Sequence, residues 1–348
     1  MGTRSALVAA VLTVTVLSGA PAAAGPRGAC VTVAADGSAN FTTIQAAVDA
    51  VPAGNATPFV IKIKPGVYRG QVIVPADRPH VALLGLGRDP SRVVIVDDRA
   101  SGTPKPGGGT WGTSGSASVT IDGADFSARN LTFANDFDES AHPEITARQA
   151  VAVLTRADRL VFEHVRFLGN QDTLYLNSPN AATRSRVYLR NCYVEGDVDF
   201  IFGRATAVFD RCRVHSLDRG STTNNGYVTA ASTSIDNPYG LLFTRCVFTG
   251  DAAAGTVYLG RPWHPSNDPN AIAQTLIRQS VLGAHINTAT PWTDFGTWPW
   301  RDARYAEYRN IGPGAAPNAD RPQLTDTEAR AHTVTAYLSG EDAWSPNH

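Results

Sequence analysis

The sequence has almost no net charge, and this absence limits what the protein can bind. Its 348 residues carry 30 Lys and Arg against 31 Asp and Glu, a formal net charge of −1 at pH 7. An overall field that would attract nucleic acid or an anionic membrane surface is therefore missing, and neither partner is expected. Any affinity for an acidic ligand has to come from arginines that are placed locally.

A hydrophobic run long enough to span a membrane is also missing near the N-terminus. The apolar run 6–17 has only 12 residues, whereas a spanning helix needs about 20. It follows Arg4 and precedes the small residues 22–24, which is the order of a secretory signal peptide and its cleavage site. A buried helix is the alternative. We expect a signal peptide at 1–24, a folded domain at 25–348 and an extracellular protein.

What the sequence does contain is a degenerate repeat of strand length. A polar pair, a small or apolar residue, a variable residue and then Phe, Val or Leu recur six times. The copies are RNLTF, EHVRF, RNCYV, DRCRV, TRCVF and RQSVL, which begin at residues 129, 163, 190, 210, 244 and 278. The steps between them, 34, 27, 20, 34 and 34 residues, indicate a solenoid whose rungs bury their faces against each other.

Further short strands fit between these copies, and they decide the expected fold class. They are QAVAVL (149–154), DTLYL (172–176), DFIFG (199–203), YVTAA (227–231) and TVYLG (256–260). Several strands per turn without a long helical period predict an all-β fold, a right-handed single-stranded parallel β-helix. A β-sandwich would need tight two-residue hairpins, which are scarce. We expect a short capping helix within 41–52 and a C-terminal tail, after about Pro291, that packs along the solenoid.

Cysteine is scarce, and its positions follow the repeat. No C-x-x-C pair is present, so a cysteine-based zinc site is not expected. Cys192 and Cys212 occupy the same repeat position 20 residues apart, and Cys246 holds that position one turn later. Because adjacent rungs lie about 4.8 Å apart, we expect a Cys192–Cys212 disulfide in a secreted protein. Unpaired buried thiols are the alternative.

The same register places two aspartates on neighbouring rungs. Asp172 lies eight residues after His164, and Asp199 lies eight residues after Asn191. Two carboxyl groups that close have their pKa values driven apart, which provides an acid and a carboxylate at one pH. This pair suits acid–base catalysis combined with nucleophilic attack. A ladder of aspartates at a solenoid corner, without chemistry, is the alternative.

The neighbours of the two aspartates favour the chemical interpretation. Gln171 adjoins Asp172, and Gln149 begins the equivalent strand one rung earlier. Neutral amides can donate hydrogen bonds to a developing oxyanion without titrating themselves. The stretch LGRPW delivers Arg261 and Trp263 from a later rung. An arginine there would keep one aspartate ionised, and a tryptophan offers a flat face for a sugar ring.

These motifs, in this order and spacing, resemble the pectin methylesterases. The resemblance rests on QAVAV, GNQDTLY, GDVDFIFG and LGRPW, with further matches in WGTSGSASVTI, YVTAAST and YAEYRNIGPGA. It runs from about residue 30 to the C-terminus, and the tail with QLTDTEA is more similar to bacterial than to plant members. It implies a secreted, monomeric enzyme that hydrolyses the C6 methyl esters of pectin (homogalacturonan) without a metal or cofactor.

The resemblance also implies a role for each motif residue. Asp199 would be the nucleophile, and Asp172 would protonate the departing methanol and then activate water. Gln149 and Gln171 would stabilise the tetrahedral oxyanion. Arg261 would orient Asp199 and help to bind the uronate.

Three further residues match substrate-binding positions of the family. They are Thr113, Phe202 and Trp263, of which the tryptophan would stack on the sugar. Two positions depart from the family pattern: Gly70 replaces a glutamate in GVYRG, and Asp197 stands where threonine is common. We expect a structural role for Asp197. The alternative is that its charge raises the pKa of Asp199, two residues away.

Two other functions are compatible with a β-helix of this kind. A pectin lyase or glycosidase is the first, since glycoside hydrolysis also uses two carboxyl groups. The paired amides favour acyl chemistry instead, and no Asp-rich calcium loop is evident. A catalytically silent polysaccharide-binding protein is the second, and the intact set of five motif residues argues against it.

Overall fold

The structure is a computed structural model that describes residues 1–2 and 30–346. Beyond its first two residues, the expected signal peptide therefore lies outside the described part of the chain. Within that part, no helix is both long and apolar enough to cross a membrane.

Twenty-five strands and four short α-helices run through the described residues. The first nine strands are β1 Cys30–Val33, β2 Phe59–Ile63, β3 Gly66–Arg69, β4 Val72–Val74, β5 Val81–Gly85, β6 Val93–Asp97, β7 Val119–Ile121, β8 Ser127–Arg129 and β9 Thr132–Asn135. The middle nine are β10 Val153–Thr155, β11 Leu160–Glu163, β12 Arg166–Leu168, β13 Leu174–Leu176, β14 Arg186–Arg190, β15 Tyr193–Gly196, β16 Val198–Gly203, β17 Thr206–Asp210 and β18 Arg213–Ser216. The last seven are β19 Gly226–Ala231, β20 Leu241–Thr244, β21 Val247–Gly250, β22 Val257–Gly260, β23 Gln274–Arg278, β24 Val281–Leu282 and β25 Arg304–Tyr308. The helices are α1 Ile44–Asp49, α2 Gly112–Gly115, α3 Asp326–Ala329 and α4 Val334–Leu338, with single 3₁₀ turns at Pro90–Arg92, Pro265–Asn267 and Trp300–Asp302.

The strands form three sheets that the chain visits in turn. Sheet A has the order β1-β2-β5-β8-β11-β14-β17-β20-β23-β25, sheet B runs from β24 to β3, and sheet C has the order β22-β19-β16-β13-β10-β7-β4. Neighbours within a sheet pair in parallel, for example β14 with β17 and β13 with β16. The predicted all-β class and right-handed parallel β-helix are confirmed, and the sandwich is excluded because its antiparallel hairpins are not found among these strands.

The degenerate repeat is the corner between sheets A and B. Its second residue has a positive φ on successive rungs, and its third residue is buried inside the solenoid. The corner residues are Asn130 (φ 58°), His164 (52°), Asn191 (52°), Arg211 (55°), Arg245 (56°) and Gln279 (49°). A left-handed conformation costs about 1–2 kcal/mol for a residue with a Cβ. The stacked rungs on either side offset this cost, because register fixes where the chain must turn.

Apolar columns along the interior hold the rungs together. On sheet A, strand pairing aligns Phe162 with Leu189, Phe209, Phe243 and Ile277. All five side chains have 0% exposure, and the rings of Phe209 and Phe243 stack at 4.4 Å. Burying each such side chain stabilises the fold by about 1.5–3 kcal/mol. These columns fix the rung register, on which the functional site depends.

The cysteines stack as expected, but the structure differs from the expected Cys192–Cys212 disulfide. Cys192, Cys212 and Cys246 lie at the repeat's third position, 1–3% exposed, and all are free thiols. Cys212 Sγ donates to the Leu189 carbonyl at 3.4 Å. In-register rungs keep Cβ atoms roughly 4.8 Å apart, wider than the ~3.8 Å mean of a disulfide. The thiols therefore pack as small apolar side chains that also donate hydrogen bonds.

Both ends of the chain cover the solenoid as expected. Helix α1 begins after Thr43, whose hydroxyl accepts from Ala46 N, and it buries Ile44, Ala47 and Val48 at the N-terminal end. At the other end, two short helices, α3 and α4, lie within the tail. Helix α4 packs Tyr337 and Leu338 against the outer face of sheet A. The tail thus lies along the solenoid, as predicted.

Candidate active site

Two buried aspartates meet where the chain enters sheet C. Asp172 precedes β13 and Asp199 lies in β16, and these neighbouring strands pair Leu174 with Ile201. The Asp172 amide donates to the Val198 carbonyl at 3.0 Å. Both aspartates have a positive φ, 67° and 51°, and each is 7% exposed. The predicted stacking on adjacent rungs is confirmed, and the left-handed backbone adds a strain that a site for chemistry can justify.

A guanidinium group neutralises one of the two carboxyl groups. Arg261 follows β22 and extends sheet C, since its amide donates to the Thr229 carbonyl at 3.0 Å. Its Nε and Nη2 atoms donate to the two carboxylate oxygens of Asp199 at 2.9 and 2.7 Å. A bidentate pair of this kind combines charge with fixed geometry. It holds the Asp199 carboxylate in one orientation.

Two aromatic rings hold Arg261 in place. The guanidinium carbon lies 3.9 Å from the centre of the Tyr227 ring and 4.4 Å from that of Phe295. Cation–π contacts with both rings restrict the plane of the guanidinium group. We call Tyr227 and Phe295 the arginine clamp.

The surroundings of the two aspartates shift their pKa values to different extents. Burial raises the pKa of Asp172 well above its ordinary value, and the nearby Asp199 charge raises it further. Burial also raises the pKa of Asp199, but the hydrogen bonds and charge of Arg261 oppose this rise. Among the described residues a cation is bound directly to Asp199 and none to Asp172, so Asp199 loses its proton at a lower pH than Asp172.

The side chains expected to act together line one cavity of about 420 Å³. All eight of the predicted site residues contribute to it: Thr113, Gln149, Gln171, Asp172, Asp199, Phe202, Arg261 and Trp263. Gln149 and Gln171 come from adjoining rungs, because the Ala150 amide donates to the Gln171 carbonyl at 3.0 Å. Two neutral amides and two carboxyl groups therefore face the same space.

An apolar surface, which we call the aromatic patch, adjoins the acidic pair. It consists of Tyr175, Phe202 and Trp263. The Tyr175 and Phe202 rings stack at 4.1 Å, and Trp263 meets them edge-on at 5.9 and 5.5 Å. Flat aromatic faces next to a few polar groups are typical of small-molecule and sugar sites.

Comparison with known proteins agrees with this geometry. The family model described as Pectinesterase matches residues 30–341. The chain belongs to the pectinesterase family. It is 37% identical over 336 residues to pectinesterase A of Dickeya chrysanthemi, covering 88% of each protein. It is 36% identical over 320 residues to pectinesterase 31 of Arabidopsis thaliana, covering 89% of this chain and 92% of the relative.

A solved structure shows the same architecture. A pectin methylesterase in complex with a hexasaccharide superposes with a TM-score of 0.81 at 35% identity, covering 93% of this chain and 99% of that one. As a pectinesterase, the protein is a carboxylic ester hydrolase, and the resemblance found in its motifs is confirmed. Among the described residues, no group of three or more His, Cys, Asp or Glu is arranged to hold a metal ion.

Sequence reasoning missed part of the site of this pectinesterase. Tyr175 and Phe295 line the cavity, and Tyr227 completes the arginine clamp. Tyr175 lies in the GNQDTLY motif, three residues after Asp172, so the sequence alone could have indicated that it lies near the site. Phe295 lies in the C-terminal tail outside every motif, and only the path of the folded chain brings it to Arg261.

Asp197 is part of the electrostatics of this site. It is 5% exposed, and its Oδ2 lies 2.8 Å from Nη1 of Arg219. Burial raises the pKa of Asp197 itself. The charge of Asp197 in turn contributes to the raised pKa values of Asp172 and Asp199. The alternative to a purely structural role, like-charge repulsion, therefore has a physical basis.

We predict that Asp197→Asn shifts the pH profile of ester hydrolysis to lower pH. Removing a negative charge lowers the pKa of both Asp172 and Asp199. An acidic limb of kcat/KM set by ionisation of Asp199 and an alkaline limb set by deprotonation of Asp172 would both move to lower pH. The profile should be measured together with Asp251→Asn, an exposed carboxylate, which should leave it unchanged. A shift to higher pH would contradict this prediction.

We also predict that Phe295→Ala weakens the arginine clamp. Loss of one of the two cation–π contacts should lower kcat/KM by about three- to thirtyfold. The less constrained Arg261 would hold the pKa of Asp199 down less effectively, so the acidic limb should move to higher pH. Phe295→Tyr keeps a ring and should restore both quantities. An unchanged acidic limb in Phe295→Ala would show that the ring only shapes the cavity.

Proposed function

We propose that the protein hydrolyses the C6 methyl esters of homogalacturonan to pectate and methanol. The observation that supports this most is the acidic pair: an Arg261-bound carboxylate and a carboxyl group of raised pKa in one cavity. The similar pectin methylesterase bound to a hexasaccharide supports an oligosaccharide ligand for this cavity. The substrate would lie across the aromatic patch with one methyl ester above Asp199.

Acylation begins with Asp199. A carboxylate oxygen of Asp199 attacks the ester carbonyl carbon, and the carbonyl oxygen becomes an oxyanion. Gln149 and Gln171 face the same space, and each amide N–H that donates to such an oxyanion contributes about 10²–10³ in rate. When the tetrahedral intermediate collapses, the bond to the methoxy oxygen breaks. Asp172 gives its proton to that oxygen, and methanol leaves an acyl anhydride on Asp199.

Deacylation uses the same groups in the opposite sense. Asp172 is now a carboxylate and takes a proton from water, while the water oxygen attacks the carbonyl carbon of the anhydride. The bond to Asp199 breaks, Asp199 regains its negative charge, and Asp172 holds a proton again. One ester and one water thus give one carboxylic acid and one methanol. Arg261 stays bound to Asp199 and stabilises it as the leaving carboxylate.

We predict that Asp199→Asn and Asp172→Asn each abolish methanol release from methyl-esterified pectin. The first removes the nucleophile, and the second removes the proton donor and the base. Both substitutions keep side-chain volume, so the midpoint of thermal unfolding should stay near that of the wild type. Asp77→Asn, an exposed carboxylate with no role in the cavity, is the matched control and should keep full activity.

Two results would contradict the proposed function. Full methanol release by either variant would refute the assigned roles. Shortening of the pectin chain by the wild type, without methanol, would instead indicate a glycosidase or a lyase, because those enzymes break the link between sugars. Viscosity and methanol measured on the same sample separate these cases.

We further propose that residues 1–24 direct secretion and are removed. The charged start, the apolar run 6–17 and the small residues 22–24 support this, as does a polymeric substrate that is too large to enter a cell. Expression of the full chain in a secreting host should give active protein in the medium. Its N-terminal sequence should begin at about residue 25. Activity confined to the cells, with residue 1 retained, would refute this proposal.

A further inference from the structure

A second cavity lies at the corner where sheet C passes into sheet A. The loop 177–185, the turn 204–205 and the loop 232–240 connect the two sheets on successive rungs. Together they enclose about 150 Å³, with Arg184 and Arg204 in the lining. None of the motifs assigned above includes these two arginines.

Among the described residues, no carboxylate forms an ion pair with Arg184. Its Nε and Nη2 atoms are buried and have no hydrogen-bond partner in that part of the chain, and its guanidinium carbon lies 5.6 Å from the centre of the Tyr239 ring. Arg186, two residues further on, is fully paired instead, with Asp158 and Asp342 within 2.8 Å. Burying a guanidinium group without a partner is unfavourable. The cavity therefore favours an anion.

Arg204 is the second cation of the cavity. It is half-buried, and within the described part of the chain it forms no hydrogen bond or ion pair. Asp236 also lines the cavity, but it is exposed and forms no ion pair with either arginine among these residues. Two guanidinium groups thus outnumber one solvated carboxylate.

The cavity adjoins the aromatic patch. Arg204 follows Phe202 by two residues, and its charge opposes the burial that raises the pKa of Tyr175. Asn177, which opens the loop 177–185, donates from Nδ2 to the Tyr175 hydroxyl at 3.0 Å. Along an extended strand Arg204 would lie about 16 Å from Asp199. A substrate of several sugars could therefore reach both residues.

The loop that carries Arg184 is an addition to the solenoid. It has nine residues, whereas the next rung makes the same passage with the two residues 204–205. This accounts for the difference between the 27-residue and 20-residue steps of the repeat. The loop 232–240 on the following rung also has nine residues, so two longer loops flank the short turn and line the cavity with it.

We propose that Arg184 and Arg204 form a binding site for a free carboxylate of the uronate chain whose methyl ester is hydrolysed. This inference rests on the proposed function. A de-esterified galacturonate unit carries the planar anion that a guanidinium group binds through two hydrogen bonds. The site makes the enzyme favour partly de-esterified chains, in which a free carboxylate occupies the cavity while an ester several sugars along the same chain lies above Asp199.

The test compares two pectins of equal chain length, one fully methyl-esterified and one half de-esterified. For Arg204→Gln and Arg184→Gln, KM for the half de-esterified pectin should rise about tenfold, as expected for loss of a charge-assisted hydrogen bond. KM for the fully esterified pectin should rise much less, and kcat should hold on both. Arg204→Lys keeps the charge and should recover part of the loss.

Arg213→Gln is the matched control, because Arg213 is an exposed arginine on sheet B, away from the cavity. It should not change KM for either pectin. A second measurement uses polygalacturonate as an inhibitor, which should bind the wild type about tenfold more tightly than Arg204→Gln.

The outcomes separate this inference from the proposed function. Equal KM changes on both pectins, or none on either, together with unaltered inhibition by polygalacturonate, would overturn the carboxylate site while leaving the esterase intact. A wild type that releases no methanol from either pectin would overturn the proposed function instead. If each variant unfolds at nearly the same temperature as the wild type, its change in KM reflects weaker binding and not a loss of folded protein.

Discussion

Parallel pairing between successive rungs is the constraint on which the rest of the structure depends. A shift of one residue in a parallel strand would turn its buried face outward, and the interior columns through Phe209 and Phe243 make such a shift costly. The same register fixes the distance between the rungs of Asp172 and Asp199. Arg261, from a later rung, can reach Asp199 only because every rung between them keeps this alignment. The geometry of the candidate site is thus a consequence of packing inside the solenoid.

The two aspartates also show how one cavity can shift the pKa values of two carboxyl groups to different extents. Both are buried, so both resist ionisation, and the difference between them comes from a single bidentate arginine. That arginine would lose much of its effect if it could rotate, and the clamp of Tyr227 and Phe295 prevents this. Asp197 and Arg219 form a second ion pair nearby, which adds negative charge close to the pair without contacting the cavity. The proposed chemistry therefore depends on a small number of oriented charges.

The repeat in the sequence predicted most of the fold, because strand-length units and their spacing directly reflect rung stacking. The eight site residues followed from motifs that keep their order along the chain. Other features could not be predicted, since they depend on how loops fold back. Phe295 reaches Arg261 from an irregular tail, and Arg184 lies in a loop whose path no periodicity describes. The disulfide failed for a different reason: equivalent positions in a repeat imply stacking, but stacking at the rung spacing does not bring two sulfur atoms into bonding geometry.

The three buried thiols at one corner of the solenoid can report local opening of the rungs. Cys192, Cys212 and Cys246 are sealed from solvent, so a thiol reagent can reach each one only when the rung around it separates from its neighbours. Burial also raises the pKa of the Cys212 thiol, so modification of Cys212 reports opening rather than intrinsic reactivity. Each of three successive rungs thus carries a thiol whose rate of modification reports the opening of that rung. The rate at which each is modified would trace how local opening spreads along the axis.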